Sequence, residues 1–456
     1  MPDFNVVYWN IENLGNNAPY RHYHALFSFI ARVARTVEAD VLALMEVRYA
    51  AIDRLGDLRV ALNAAFADVA PAGDWHFDWL PAAIAGDYPD AGGEPAALLH
   101  LGWEKQANKE GYAVFWNNNP NKVVMLESPA TVSAGVDSDT NGMSQGGPAL
   151  GGIARALRLV VSGRKRADDP NDFDDNELPR ADPIPPWARE QLDFPTNISN
   201  VPRRRSPRRP AACAVRLKTA ADDAGTVASL LVYHAPGVIA FSQVAFVATR
   251  FFSFAESIYR LGGAVPDQVV AGGDLNVDAM SDDELAAASL RSFTNALNAG
   301  VPGAGCQQLN GAVAASRSSI NLSRGLFGRG GRILSANAAD YRTFAIDHVF
   351  HKGFIGVGAV ANGPVLDLIS LVMQNDGPLS QSVRAFIPLF YPPPMLVPAL
   401  PAAAPPPALA PPRAVNNGAD FLLGIRQGHF PNARSAAEFV KLLISDHLPV
   451  VFRGQY

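Results

Sequence analysis

Residues 6–15 read VVYWNIENLG, and residues 445–452, close to the other end of a 456-residue chain, read SDHLPVVF. Each is a short apolar run bounded by reactive side chains: Asn10, Glu12 and Asn13 in the first, Asp446 and His447 at the head of the second. Short apolar runs of this kind read as buried strands. Working inward, DVLALMEV (40–47) gives a strand closing on Glu46, DQVVAGGDLN (267–276) one closing on Asp274 and Asn276, and FAIDHVFHKG (344–353) one containing Asp347. Carboxylate, amide and imidazole groups thus sit at strand tips drawn from the whole chain. Strand ends are where an α/β sheet gathers its ligand-binding residues.

The intervening pattern alternates strand and helix. Helices are predicted over 22–37, 51–68, 239–260 and 281–295, a strand pair over AACAVRLKT (211–219) and ASLLVYHAPG (228–237), and a final strand over 447–452. GYAVFWNNNPNKVVML (111–126) reads as two strands joined by an Asn-Pro-Asn turn, a hairpin. Three stretches break the alternation, at about 128–207, 300–340 and 355–440. The last contains PPPMLVPALPAAAPPPALAPP (392–412), whose prolines forbid helix interiors and central strands and read as a polyproline-II excursion. Because both chain ends supply core strands, the reading is one α/β (α+β) domain over 1–456 carrying surface insertions.

Composition sets the outer bounds. With 48% hydrophobic residues the chain can bury a large core, and a net charge of -5 with a pI near 6.0 leaves any polyanion to be met by a local patch. Only two cysteines occur, Cys213 and Cys306, which argues against a disulfide framework and a zinc cluster. A basic segment followed by a long apolar one is missing from MPDFNVVYW, and no apolar run approaches the roughly 20 residues that span a bilayer. The expectation is a protein that is cytoplasmic, or released without a recognisable signal peptide. Hard oxygen donors at the strand ends suit magnesium, manganese or calcium, and the set reads as a divalent-cation phosphate site.

In order along the chain, WNIEN, LMEVR, YHAPG, GGDLN, IDHVF and SDHLPV resemble the signatures of the metal-dependent endonuclease/exonuclease/phosphatase superfamily. That superfamily includes deoxyribonuclease I, apurinic endonucleases, sphingomyelinases and inositol-polyphosphate phosphatases. The resemblance spans residues 6–452 but not the insertions. It implies a four-layered sandwich, two packed mixed sheets flanked by helices, with the site where strand ends of both sheets meet. It further implies Mg2+ or Mn2+, with Ca2+ as a candidate second ion, held by Glu46, Asp446, Asn10 and Asp274. Asp274 and Asn276 would bind the attacking water and the phosphate, and His447, oriented by Asp347, would sit on the scissile phosphate. Phosphodiester hydrolysis needs just such parts: a positive centre, a positioned water and a proton donor.

Three features resemble deoxyribonuclease I in particular. Glu110, two residues before Tyr112, would pair with His234 as a second carboxylate and imidazole, Tyr112 and Asn10 would touch the substrate phosphate, and Arg208 would contact it from an R-x-P pattern. Arg209 is adjacent, and VPRRRSPRRP (201–210) could equally be a solvated basic loop; if functional, Arg203, Arg204, Arg205 and Arg209 add a positive patch for nucleic acid. The serine of the family's H-S-A-P stretch is absent, and GDLN stands in place of GDFN. His348 should face away from the site that Asp347 faces. The leading expectation is an endonuclease on DNA, RNA included, with no obligate protein partner. The alternative is a phosphatase or phospholipase C-type hydrolase on phospholipid, sphingomyelin or inositol phosphate, with FIPLFYPPPMLVPAL (386–400) touching a membrane surface.

Overall fold

The computed structural model describes residues 2–15, 22–69, 73–81, 110–131, 211–221, 223–234, 267–280, 290, 307–309, 314–322, 327–328, 331–332, 337–358, 364–374, 377, 379–386, 430 and 433–456. The chain begins with β1 (Asp3–Leu14), α1 (Tyr23–Thr36), β2 (Val41–Arg48) and α2 (Ile52–Ala65). α1 buries Leu26, Phe29, Ile30 and Val33, and α2 buries Leu55, Leu58 and Leu62. Neither helix has a side-chain N-cap, so packing of the apolar stripe carries them. Next come β3 (Asp74–Pro81), β4 (Glu110–Asn118), β5 (Val123–Thr131), β6 (Ala211–Leu217), β7 (Thr226–Val232) and β8 (Gln268–Asp274). Short strands β9 (Gln307–Gln308), β10 (Phe327–Gly328) and β11 (Gly331–Arg332) lead to β12 (Asp347–Lys352) and β13 (Gly356–Val357). The chain closes with α3 (Leu368–Met373), α4 (Ser380–Arg384), α5 (Ala433–Phe439), a π-helical turn (Val440–Ile444) and β14 (Val450–Gln455).

Two mixed six-stranded sheets make the sandwich, one ordered β13-β14-β1-β2-β4-β3 and the other β5-β6-β7-β8-β12-β9. β1 runs parallel to β2 and antiparallel to β14, with Val6 opposite Phe452, so the two ends of the chain are hydrogen-bonded neighbours. The sheets meet along a seam where the Tyr8 hydroxyl donates to Val270 O (3.4 Å) and Met45 Sδ accepts from Asp274 N (3.3 Å). β1, β2, β7 and β8 finish at one end of the seam, and the antiparallel partners β4, β6, β12 and β14 start there. That common end is what positions the site.

Four sequence expectations change. The hairpin over 111–126 does not form: the turn is tight, with Val123 N donating to Asn119 O (2.8 Å), but β4 joins one sheet and β5 the other. Both edges of β4 are already taken by β2 and β3, which leaves β5 to pair with β6. β3 was not anticipated, although DWHFDWLP alternates Trp75, Phe77 and Trp79 with Asp74, His76 and Asp78 at the period of a half-buried strand. The range 355–440 is not all surface: Leu368, Ile369, Val383, Phe386 and Phe430 are core, as is most of α5. Within 300–340, Ile320 and Ala338 are buried as well. The proline-rich stretch and 128–207, apart from the end of β5, lie outside the described residues, as do the helices expected at 239–260 and, apart from helical Leu290, at 281–295. Among the described residues no helix is long and apolar enough to cross a membrane.

At the far end of the seam Asp40 is buried against Lys122, whose ammonium stands 2.7 Å from Oδ1, while Asn5 N donates to Oδ2 (2.9 Å). Burial pushes the Asp40 carboxyl above its ordinary 3.8, and Lys122 and Asn5 pull it back. Lys122→Met leaves the carboxylate unpaired and is expected to cost about 2 kcal/mol at pH 7. The folded carboxyl would then rise further above its unfolded value, so the loss should shrink on acidification. Urea unfolding at pH 7 and pH 4.5 measures this; an equal loss at both would show that Lys122 acts through packing alone.

Candidate active site

Asn10, near the tip of β1, carries two amide hydrogens on Nδ2 and gives one to Glu46 Oε1 (3.0 Å) and one to Asp274 Oδ2 (2.9 Å). Its Oδ1 accepts from Glu12 N (3.0 Å), so all three partners agree on the orientation of the amide. His234, just beyond β7, points Nε2 at the same two carboxylates, 3.3 Å from Glu46 and 3.5 Å from Asp274. From the other side His447 Nε2 lies 3.7 Å from Asp274 Oδ2, and 3.7 Å from Asp446 Oδ1. Its Nδ1 holds Asp347 Oδ2 at 2.8 Å. Residues separated by more than 400 positions thus share one site.

Local backbone geometry aims these groups. Asp274 and Asp347 are direct cross-strand partners in the β8–β12 ladder, which puts both carboxyls on one face. Glu46 would by simple alternation face away from Met45, but a bulge between Met45 and Val47 breaks the β2–β4 register there. Glu46 adopts φ 58° in that bulge, and Asn276 and Glu12 have φ 52° and 49°. Left-handed backbone at a residue with a side chain costs roughly 1–2 kcal/mol and persists where the surroundings over-determine it. Gly273, at φ 142°, admits no side chain: a Cβ would stand 1.9 Å from Tyr233 O. Gly273 therefore serves close approach of the chain just past β7 to β8, while a Cβ on Gly272 would press on Val349, His348 O and Tyr8.

Burial and crowding of carboxylates set the proton affinities. Asp274 is pushed up to about 7, chiefly by burial and further by Asp347, with His447 and the Asn10 amide holding it back. Burial disfavours a charged His447, yet Asp347, Asp274 and Asp446 together hold the imidazole well above 6.5. His447 is thereby a proton donor at neutral pH, and Asp274 a base poised near it.

The expected residues divide. Asn10, Glu46, Asp274, Asp347, Asp446 and His447 come together. Asn10 turns its NH2 toward Glu46 and Asp274 and its Oδ1 toward Glu12 N. Tyr112 is fully buried, and its hydroxyl accepts from His234 N (3.2 Å); it seats His234 and is shut off from a substrate phosphate. His234 faces Glu46 and Asp274; Glu110 lies at the start of β4 opposite Arg48, but its side chain, and with it the expected pair with His234, lies outside the described residues, and Arg208 is outside them entirely. Asn276 N donates to Asp274 Oδ1 (2.9 Å), which holds that carboxyl in place. His348 is buried, with Nε2 2.6 Å from Val277 O and Nδ1 3.1 Å from Gln308, a structural role.

Ser445 was not singled out from the sequence. Its hydroxyl donates to Asn10 O (2.7 Å) and accepts from His447 N (3.0 Å), tying the first motif to the last. Trp9 Nε1 donates to His447 O (2.9 Å) and does the same from inside the core. The only sequence signal was their adjacency to Asn10 and His447.

The donor set fits a hard divalent cation. Ligand atoms of Glu46, His234 and Asp274 lie within 4.8 Å of one another, as do those of Asp274, Asp347 and His447. Asp446 Oδ1 is buried and, among the described residues, has no hydrogen-bond donor. Four carboxylates against two imidazoles leave negative charge that a cation would neutralise, and an imidazole among the oxygens suits manganese as well as magnesium. Because Asp274 is protonated below about 7 when metal-free, its contribution to the stability of the cation-free protein should fall as pH rises from about 4 to 7, where the unfolded chain has already released that proton. Asp274→Asn is accordingly expected to raise Tm above pH 7 in chelator, with the gain vanishing near pH 4, and to abolish stabilisation by Mg2+ or Mn2+. A Tm difference that is the same at all pH values would refute the sign.

The Endonuclease/Exonuclease/phosphatase family model matches residues 7–370. No curated protein matches the sequence. Solved structures that resemble the fold include an endonuclease/exonuclease/phosphatase family protein from Bacteroides thetaiotaomicron, at 13% identity over 79% of this chain and 88% of that one, TM-score 0.36. The human Nocturnin catalytic domain with bound sulfate is similar at 11% identity over 78% and 86%, TM-score 0.37. ANGEL2, a 2',3'-cyclic phosphatase, in complex with adenosine-2',3'-vanadate, is similar at 12% identity over 100% and 96%, TM-score 0.38. Likeness at that level bears on none of the site chemistry; the family match does, since it takes in Asn10, Glu46, His234, Asp274 and Asp347, and the fold carries Asp446 and His447 to the same place from beyond residue 370. The chain belongs to the Endonuclease/Exonuclease/phosphatase family, whose members are phosphoester hydrolases.

Proposed function

We propose that this protein is a divalent-metal-dependent phosphodiesterase that cuts nucleic acid, DNA foremost, by direct attack of water. The observation that carries the chemistry is the convergence of Glu46, Asp274 and His234 beside the Asp347–His447 dyad. Glu46, Asp274 and His234 would hold Mg2+ or Mn2+, which when bound supplies charge neutralisation at the phosphoryl oxygens. The remaining work belongs to side chains. His447, charged and held by Asp347 at 2.8 Å, donates a hydrogen bond from Nε2 to a phosphoryl oxygen and stabilises the charge that grows there. Asp274, set between the imidazoles of His234 and His447, would accept the proton of the attacking water as the scissile P–O bond breaks, and the leaving oxygen would take its proton from solvent. Asn276, at the half-buried edge beside it, orients that water. No covalent intermediate is needed.

The substrate class is supported by the sequence next to β6. Ala211, which follows VPRRRSPRRP in the sequence, starts β6 opposite Val232, two residues before His234. A basic run adjacent in sequence to that strand end favours a polyanionic backbone over a small neutral ester.

Supercoiled plasmid incubated with the protein and Mg2+ or Mn2+ should be nicked, with loss of nicking in chelator. Glu46→Gln and His447→Ala are each expected to lower the rate by at least about a hundredfold with the fold retained by circular dichroism. Phosphate release from monoesters without any nicking would overturn the nuclease reading and leave the hydrolase.

A further inference from the structure

The dyad that acts on the phosphate is assembled from two sheets. Asp347 opens β12 in one, and His447 leads into β14 in the other. Nothing in either sheet's own ladder sets the distance between them. Ser318, in the segment between β9 and β10, touches both halves. Its hydroxyl accepts from Asp347 N (3.2 Å), and its carbonyl accepts from Leu448 N (2.6 Å), the residue after His447. Two residues on, Ile320 N donates to Asp446 O (2.7 Å), and Ser319 forms a backbone bridge with His447 itself.

The segment is in turn held from behind. The guanidinium of Arg342, only 7% exposed, donates through Nε to Arg317 O (2.9 Å) and through one terminal nitrogen to Ala315 O and Arg317 O (2.7 Å each). Its other terminal nitrogen lies 3.7 Å from Asp367, the residue that caps α3 through Ser370 N (3.1 Å). A rigid planar fork that satisfies carbonyls on one strand of chain fixes that chain's position and direction.

We propose that Ser318 is a positioning residue for the Asp347–His447 dyad, and that Arg342 sets Ser318. The proposal rests on the phosphoester-hydrolase reading of the site for its kinetic consequence, but not for its structural one. Misplacing a reacting group by about 1 Å costs as much as a hundredfold in rate. Truncating the hydroxyl should let Asp347 drift from His447 Nδ1 without touching the cation ligands or the substrate.

Ser318→Ala is expected to lower kcat on a phosphodiester substrate about ten- to a hundredfold with KM unchanged. In the metal-free protein, the downfield proton resonance of the His447 imidazole bonded to Asp347 should shift or vanish. Ser318→Thr, which keeps the hydroxyl, should restore both. Ser316→Ala, which removes a buried hydroxyl two residues away that has no hydrogen-bond partner among the described residues, should change neither. A Ser318→Ala protein with wild-type kcat and an unmoved resonance overturns the proposal. The resonance needs no substrate, so it decides the matter even if the hydrolase reading fails. Should Ser318→Ala not fold, Arg342→Lys takes its place: a shifted resonance supports the proposal and an unmoved one overturns it.

Discussion

One amide nitrogen joins the two halves of this protein. Asn10 belongs to the first sheet, Glu46 to its neighbour in that sheet, and Asp274 to the other sheet, and a single NH2 group bonds both carboxylates. Two charged acids facing each other across a seam repel, and the Asn10 amide, with His234 Nε2 beside it, offsets that repulsion. Through that amide the ends of β1, β2 and β8 are locked at hydrogen-bond distance. Everything else at the site is arranged on that lock: Ser445 hangs the His447 loop on Asn10's carbonyl, and His234 closes on the same two carboxylates.

The site is bought with stability. Four carboxylates gather where burial raises the proton affinity of Asp274, and Glu46, Glu12 and Asn276 hold left-handed backbone. Each feature is unfavourable for a fold considered alone. They are tolerated because the surrounding core is large and dry, with Trp9, Tyr8, Met45 and Tyr112 all fully or almost fully buried directly beneath the site. The far end of the seam shows the opposite design, where Asp40 has Lys122 as a direct counter-charge. Asp40 has an ammonium to itself, whereas the four carboxylates at the site share two imidazoles and one amide.

The strand tips were legible because each combines a strong apolar run with a polar stop. VVYWN, LALME, VVAGGD and SDHLPVV declare both a buried strand and the residue that ends it, and their order along the chain resembles one family closely. The Asp347–His447 pairing was implied by that resemblance and is present at 2.8 Å. The partnership of Asn10 with two carboxylates was not legible, since an amide beside a strand end is equally a turn residue. Nor was the role of Tyr112, because a tyrosine's hydroxyl can face a substrate or the backbone of a neighbour, and burial alone decides which.

Local sequence thus determined which residues end strands, because apolar periodicity and the switch to polar side chains are properties of consecutive positions. Which strands share a sheet was decided only in three dimensions: β4 and β5 are separated by a four-residue turn and yet part company, since both edges of β4 were already occupied. The same holds for Ser318 and Arg342, which lie in a stretch without periodicity. Their meaning arises from carbonyls and amides of segments far away in the chain, and a hydrogen bond between distant segments leaves no mark on the spacing of either.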